Sequence, residues 1–577
     1  MLRPAMQAEG PRLATVRGSL SWGAAALAGA FLLLQLPFLG QAFVIDDGNF
    51  VDQALQILHD PAHPYSFTIH LAGAQRFFEY FANPPGQGYW LALAIRLFGR
   101  SEVALHAACL LFAALALFGM CALARASTRE PLFAAGLLLA APAFLVSSHT
   151  VMADISAAAW SIVAVHLFLR GVDQDRLSTL LLAGLAAGLA GLFKYSGVAT
   201  IPLMAGYLLL RGRIRWRAIF AILIATAVFG GWCWASDRIY GRVHLLAALA
   251  LETTPRPAGE RVIQAAAVVL GLGATTMFPP VLWLWSVLSS AALSRFGGRF
   301  VAVASSCAFL AALPAYRQPL LRYDLPNRLL GGLFLAAGVA ALLFVALCGI
   351  DVARRLAASR RSGDDAGTDR AARAALLVVW ALSFLALDAT TIFATPKYTI
   401  PAVAPLILLL VGASDRVRER FERRSRWEKG IALAATMLLS LGLSGVSAAQ
   451  GNAHRRVVTE TVPALAGNAR IWFDGHWTIR YYGEHAGQHW LGAEEDPEAR
   501  PRAGDRLYFI PEAMMHAVPD SVASRLRQVE AVTMPSPLPL QLMNGLVGAG
   551  YWAHVFGVMP YVVSGSPVCT AMVFEVQ

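Results

Sequence analysis

Apolar runs of membrane-spanning length recur along almost the whole chain. They lie near 20–43, 103–124, 131–149, 153–170, 178–193, 196–211, 217–235, 262–290, 300–314, 329–350, 374–394, 399–413 and 430–449. An upright helix needs about 20 apolar residues to cross a bilayer, and several of these runs are shorter, so the pattern predicts about thirteen spans. With 57% hydrophobic and 14% charged residues among 577, the chain carries more apolar surface than soluble domains can bury. It reads as a polytopic α-helical membrane protein.

The formal charge of +11 argues for topology rather than for nucleic acid, because most of the arginine clusters in short stretches between apolar runs. Arg3, Arg12 and Arg17 precede the first run, which reads as an uncleaved cytoplasmic anchor. From a cytoplasmic N-terminus, the even-numbered connections are cytoplasmic. They include the four densest basic stretches between spans, at 211–217, 295–299, 351–373 and 415–429. The first long connection (44–102), those near 236–261 and 314–328, and the region from about 450 then lie outside, which in a bacterium is the periplasm. The expected division is a transmembrane catalytic domain over 1–449 and a small periplasmic α/β domain over 450–577. In the latter, "RIWFDGHW", "DRLYFIPEA" and "AMVFEVQ" read as strands, and "SVASRLRQVEAV" reads as a helix with Val522, Leu526 and Val529 on its apolar face.

The stretch "VIDDGNFVDQALQILHD" (44–60) follows the first run. Val51, Ala54, Leu55 and Leu58 form one helical stripe, opposite Asp52, Gln53, Gln56 and His59, so a helix lying flat on the outer membrane surface is expected. Asp46 and Asp47 sit just before its N-terminus, where the helix dipole favours carboxylate. They are either caps, together with Asn49, or working groups at the membrane edge. Asp154, Lys194 and Lys397 belong to the same outer edge, and Asp388 lies within the eleventh span. Only three of the 47 basic residues are lysines, and two of the three occur as Lys-Tyr at that edge. Singly, such lysines snorkel and such tyrosines belong to an interfacial belt. Together, carboxylates and cations on one face are what transfer to or from a lipid phosphate requires: a base for the acceptor and positive charge for the departing phosphate.

"VIDDGNFVDQALQIL", followed by "NPPGQGYWLALAIRLFGRSEVALHAACLLFAALALFGMCALAR", resembles the start of the GT-C glycosyltransferases of the protein O-mannosyltransferase, lipid A aminoarabinose transferase and rhizobial galacturonosyltransferase group. Members open the first outer loop with an acidic pair and place a Pro-Pro segment before "LFG.SE.ALR". "VMADISAAAWSIVAVHLFLRG", "LLAGLAAGLAGLFKYSG" and "ATPKYTIPAVAPLILLL" are similar to later pieces, and "GHWTIRYYGEHAGQHWL" looks like the periplasmic domain that some members carry. The resemblance implies an inverting transferase that takes its sugar from a polyprenyl phosphate. It also implies that Asp46 is the acidic group of the reaction and Asp154 a second acidic position. Three positions depart from the group's pattern: Asp47 for Glu, Asn83 for a histidine before the proline pair, and Lys397 for Arg. Without that histidine no metal ligands are assigned, and neither a cofactor nor a divalent ion is indicated. Lysine for arginine keeps the charge but loses the two-pronged grip on phosphate.

An active site on the outer face has no access to cytosolic nucleotide sugars, and the chain has no Gly-rich phosphate loop, so the donor is expected on a lipid carrier. The glycines of spans five and six fit close helix packing. In the expected mechanism Asp46 orients and deprotonates the acceptor, a lipid, polysaccharide or protein of the envelope. Asp47 and Asp154 support it, and Lys194 and Lys397 with Tyr398 hold the donor phosphate. Trp477, Tyr481 and Tyr482 either stack on an acceptor sugar or form the core of the tail domain. Two other classes stay open: a transporter or flippase of a lipid-linked glycan, with Asp388 as the deeper charge such a path needs, and a non-catalytic envelope assembly protein.

Overall fold

The computed structural model describes residues 10–70, 74–254, 256–277, 295–315, 323–417, 422–491, 500–513, 518 and 520–577. Parts of the expected eighth span, the connection at 314–328 and the basic stretch at 415–429, together with Arg3, lie outside the described residues. Among those described, seven helices are long and apolar enough to cross a membrane, and four shorter apolar helices accompany them. The polytopic helical architecture expected from the sequence is the one observed.

In chain order the helices are α1 (Gly10–Gln35), α2 (Asp47–His59), α3 (Gly86–Phe98), α4 (Glu102–Ala124), α5 (Pro131–Ala140), α6 (Pro142–Ser147), α7 (Asp154–Gln174), α8 (Leu177–Phe193) and α9 (Thr200–Arg211). They continue with α10 (Trp216–Tyr240), α11 (His244–Glu252), α12 (Ala258–Leu272), α13 (Arg295–Ala315), α14 (Leu325–Ser362), α15 (Asp365–Thr390), α16 (Ile400–Val417) and α17 (Glu422–Arg456). Pro142 splits the third apolar run into α5 and α6, since proline at the start of a helix suits its fixed φ but cannot continue the one before it. Both Lys-Tyr pairs fall where a short 3-10 turn leads into a helix, Tyr195–Ala199 before α9 and Pro396–Thr399 before α16.

Basic residues at one end of several helices are paired with acidic ones. At the basic end Arg211 donates to Asp369 at 2.8 and 2.7 Å, Arg213 to Asp365 at 2.7 Å, Arg373 to Asp173 at 2.6 Å and Lys429 to Glu130 at 2.5 Å. The stretch 351–373, read as a charged loop, is a helical hairpin. α14 and α15 run through it and turn only at Gly363, whose φ of +66° is open to glycine, followed by Asp364 capping Gly367 N–H at 2.9 Å. The glycines of span five do serve packing: a Cβ on Gly184 would sit 2.4 Å from the Ala221 carbonyl oxygen of α10.

The tail forms a five-stranded sheet. Its strands are β1 (Ile471–Asp474), β2 (His489–Trp490), β3 (Arg506–Phe509), β4 (Leu526–Met534) and β5 (Cys569–Val576), in the spatial order β2-β1-β3-β5-β4. β1 is parallel to both neighbours, whereas β5 is antiparallel to β3 and β4. One helix, α18 (Trp477–His485), connects β1 to β2. The helix expected over "SVASRLRQVEAV" is a correction. Only Asp520–Ala523 is helical, and Leu526–Met534 is a strand paired along β5 from Val576↔Leu526 to Cys569↔Met534. A partner strand with free backbone groups outweighs the weak helical spacing of Val522, Leu526 and Val529.

The flat surface helix is a second correction. α2 lies against α3 and α18, and Phe50, Val51, Ala54 and Ile57 join a core that includes Phe473, Tyr481 and Tyr482 of the tail. Protein covers the start of its apolar stripe at Val51 and Ala54, while Leu58 at its end stays exposed. The tail grips its polar face as well, because Arg480 donates to Asn49 at 3.0 Å and to Asp52 at 2.8 Å.

Candidate active site

The turn that carries the acidic pair is held in an unusual backbone conformation. Ile45 has φ of +49°, a region in which a β-branched residue is strained, and that twist turns the chain from Val44 into α2. Asp47, fully buried, fixes the turn: its Oδ2 accepts from Val44 N–H at 2.9 Å and its Oδ1 from Val151 N–H at 2.8 Å. Burial pushes the Asp47 carboxyl up to about 8, against those two backbone donors. Asp47 thus ties the first loop to the segment that leads into α7. Gln87 strengthens the same joint by donating to Val151 carbonyl at 2.7 Å and accepting from Ser156 at 2.8 Å.

Asp46 is free of that task. Its Oδ2 meets Lys397 Nζ at 3.0 Å, and its side chain keeps about a quarter of its exposure (28%) while Lys397 is almost enclosed (5%). Lys194 pairs with Asp154 at the start of α7, and its ammonium lies 4.1 Å from the ring centre of Tyr398. Lys397 Nζ is 5.6 Å from the same ring. The structure therefore brings Asp46, Asp47, Asp154, Lys194, Lys397 and Tyr398 to one end of the bundle, from four separate chain segments.

Asp154, Lys194, Lys397 and Tyr398 line a cavity of about 360 Å³ whose walls continue into apolar residues such as Val198, Pro202, Leu249, Phe384 and Leu387. The cavity is also lined by Asn83, Glu252 and Asp388, which stand outside the set read from sequence as the site. Glu252 is largely buried, which raises its carboxyl, while the N–H of Ile392 donates to it at 2.9 Å and opposes the shift. From sequence, Asp388 reads only as a deeper charge within a span. Glu252 had no signal, since one acidic residue at the end of a loop helix is ordinary.

The tail aromatics separate into two groups. Tyr482 is buried; its hydroxyl accepts from Phe43 N–H at 2.9 Å and donates to Glu102 at 2.9 Å. Tyr481 packs edge-on against Phe43, 5.4 Å between ring centres, and against Gly48. Both bind the tail to the acidic turn. Trp477 instead lines a small crevice, about 30 Å³, together with Ile45, His454 and Trp552. Among the described residues, no three His, Cys, Asp or Glu side chains gather as a metal-holding group.

Residues 82–234 match the profile of the family described as dolichyl-phosphate-mannose-protein mannosyltransferase, a stretch that contains Asn83, Asp154 and Lys194. No curated protein matches the chain. Among solved structures, ArnT from Cupriavidus metallidurans bound to undecaprenyl phosphate is similar at 17% identity, over 85% of this chain and 93% of that one, with a TM-score of 0.39. Its apo state is similar at 15% identity, over 97% and 98%, with a TM-score of 0.44. The Archaeoglobus fulgidus oligosaccharyltransferase tethered to an acceptor peptide is similar at 13% identity, over 83% of this chain and 64% of that one, with a TM-score of 0.48. The resemblance to membrane glycosyltransferases read from the sequence holds, carried by the family match over 82–234.

Proposed function

We propose that this chain is an inverting glycosyltransferase that moves a sugar from a polyprenyl-phosphate-linked donor to an envelope acceptor at the periplasmic face of a bacterial inner membrane. The observation that carries the reading is the pair of contacts Lys397–Asp46 and Lys194–Asp154, whose two lysines approach the ring of Tyr398 and line with it a cavity with apolar walls. Such a cavity suits a lipid phosphate: two cations for the headgroup and apolar surface for the first isoprene units.

In this reading the donor phosphate draws Lys397 and Lys194 toward its oxygens. Asp46, released from its ion pair, accepts the proton of the acceptor hydroxyl. The acceptor oxygen attacks the anomeric carbon from the face opposite the phosphate, a new C–O bond forms, and the bond to the phosphate oxygen breaks with its electron pair. The two ammonium groups hold the departing polyprenyl phosphate. Asp47 positions Asp46 through the backbone. An acceptor that is itself a phosphate needs little base, and Asp46 would then mainly orient it. The acceptor is a lipid, polysaccharide or protein, and Trp477 is the tail aromatic best placed to meet it.

Replacing Asp46→Asn tests the reading. A deletion strain complemented with the native chain should regain one glycosyl unit in its envelope lipids, polysaccharide or proteins by mass spectrometry, and the variant should restore none at equal abundance. Full complementation by Asp46→Asn would defeat the proposal.

A further inference from the structure

The small crevice beside the acidic turn gathers two rare features. Among the described residues three that are not glycine have positive φ, and one of them, Asp175, is an ordinary left-handed cap at the end of α7. The other two, Ile45 at +49° and Trp477 at +55°, both line the crevice, which is bounded by the acidic turn, α17 and the tail. Bulky side chains seldom adopt this conformation, and such strain gathers where a ligand is held. The second feature is His454 of α17. It lines the same crevice, is 7% exposed, and its Nε2 has no hydrogen-bond partner among the described residues, although buried polar atoms are almost always satisfied.

The crevice adjoins the carboxylate of the proposed reaction. Ile45 directly precedes Asp46, and Trp552, another part of the wall, has its ring centre 6.0 Å from Nζ of Lys397, the partner of Asp46. Its chemistry differs from that of the donor cavity. Among the described residues no lysine, arginine, aspartate or glutamate lines it; its polar groups are hydroxyls such as those of Ser447 and Thr478, together with His454 and His476. A phosphate drawn into this poorly solvated space would meet no permanent cation, since Lys397 and Lys194 serve the donor phosphate. A hydroxyl fits, because it both donates and accepts and so pairs with Nε2 in either tautomer of His454. Trp477 is half-buried, which leaves part of its indole to pack against the C–H face of a sugar ring. A serine or threonine acceptor offers the hydroxyl but no such face.

We infer that this crevice is the acceptor subsite and that it takes a neutral sugar residue of a glycan, whose ring packs on Trp477 and whose hydroxyl bonds His454. Its volume of about 30 Å³, room for about two waters, admits a hydroxymethyl arm while the rest of the sugar stays at the mouth. The inference rests on the transferase reading and narrows its acceptor to a glycan hydroxyl. The juxtaposition of two strained residues, an unpartnered imidazole nitrogen and a half-buried indole beside Asp46 is its basis.

A deletion strain complemented with the native chain supplies the test, read by linkage analysis of the glycosyl unit that the chain restores. That unit should be joined to a hydroxyl carbon of a neutral sugar. A unit found on a phosphate, on an acidic sugar, or on serine or threonine would overturn this inference alone, whereas no restored unit at all would remove the transferase reading and this inference with it. At matched, limiting abundance Trp477→Ala should cut the restored unit about three- to tenfold, the scale of one lost aromatic contact, and Trp477→Phe, which keeps a ring, should recover most of it. Binding of bare undecaprenyl phosphate to full-length Trp477→Ala in lipid nanodiscs should stay at the native level. Native restoration by Trp477→Ala would place the acceptor elsewhere and overturn the inference. Loss of carrier binding in that variant would mean a disturbed fold, and the linkage result, which needs no variant, then decides.

Discussion

Lys194 and Tyr398 belong to different Lys-Tyr pairs, yet the ammonium of the first lies 4.1 Å from the ring centre of the second. The contact links α7, the turn before α9 and the turn before α16 around one space, and the Lys397–Asp46 pair ties the acidic turn before α2 to it. Lysines snorkelling independently to an interface would have no reason to meet over one ring.

Lys397→Met keeps the length of the side chain and removes its charge. Loss of one preorganised cation at a departing phosphate lowers turnover by about 100- to 1,000-fold in comparable sites. Transfer from a radiolabelled polyprenyl-phosphate sugar should fall by that amount in the fraction of detergent-solubilised protein that a thermal unfolding curve shows to be folded. Retention of more than a tenth of the native rate would exclude a role for Lys397 at the phosphate.

The buried Asp47 makes stability depend on pH. Its carboxyl has an ordinary value of 3.8 and is raised to about 8 in the folded chain. Between those values the folded state holds a proton that the unfolded state has released. Its stabilising contribution is complete below about pH 4 and is lost as pH rises through about 8, at up to about 1.4 kcal/mol per pH unit for one proton. Melting temperature measured from pH 5 to 8 should therefore decline, and Asp47→Asn should flatten that decline. Parallel slopes in the two proteins would show that Asp47 ionises with no such shift.

Gly48 sets two effects against each other. Alanine in a helix is favoured over glycine by about 1 kcal/mol. A Cβ at position 48, however, would sit 2.8 Å from Tyr481 Cβ, which is attached to the tail and cannot swing away. The contact should win: Gly48→Ala should lower stability by about 1–3 kcal/mol, the range for overpacked sites. It should also reduce transfer, because α2 carries Asp46 at its start. A variant more stable than the native chain would show that the tail yields.

Arg480 joins Asn49, Asp52 and Glu484, and its side chain is 3% exposed. Breaking a buried pair by removing one partner costs about 3–5 kcal/mol. Arg480→Ala should accordingly speed amide exchange throughout α2 more than in α7 or α8. Uniform exchange across the three helices would mean that Arg480 does not secure the acidic turn.

Much of this arrangement could be read from residues alone, because hydropathy and charge act over whole segments. The helices follow the apolar runs, and Asp46, Asp154, Lys194 and Lys397 were recognisable as ionisable groups at one edge of a bilayer-length pattern. What escaped was decided by contacts between distant segments. β4 looked helical until β5 supplied its partner, and α2 looked like a surface helix because the tail that covers it begins some four hundred residues later. Glu252 draws its significance only from the cavity it shares. The twist at Ile45 is imposed by the anchoring of Asp47 on both sides, and no property of isoleucine announces it.

The grip of α18 on α2 has a consequence for engineering. Gly48, Asn49 and Asp52 are shaped to Tyr481 and Arg480, so the C-terminal portion is not an interchangeable module. A chimera that borrows it from another protein must import the matching face of the first loop in the same exchange, or the graft will dislodge the turn that holds Asp46 and Asp47.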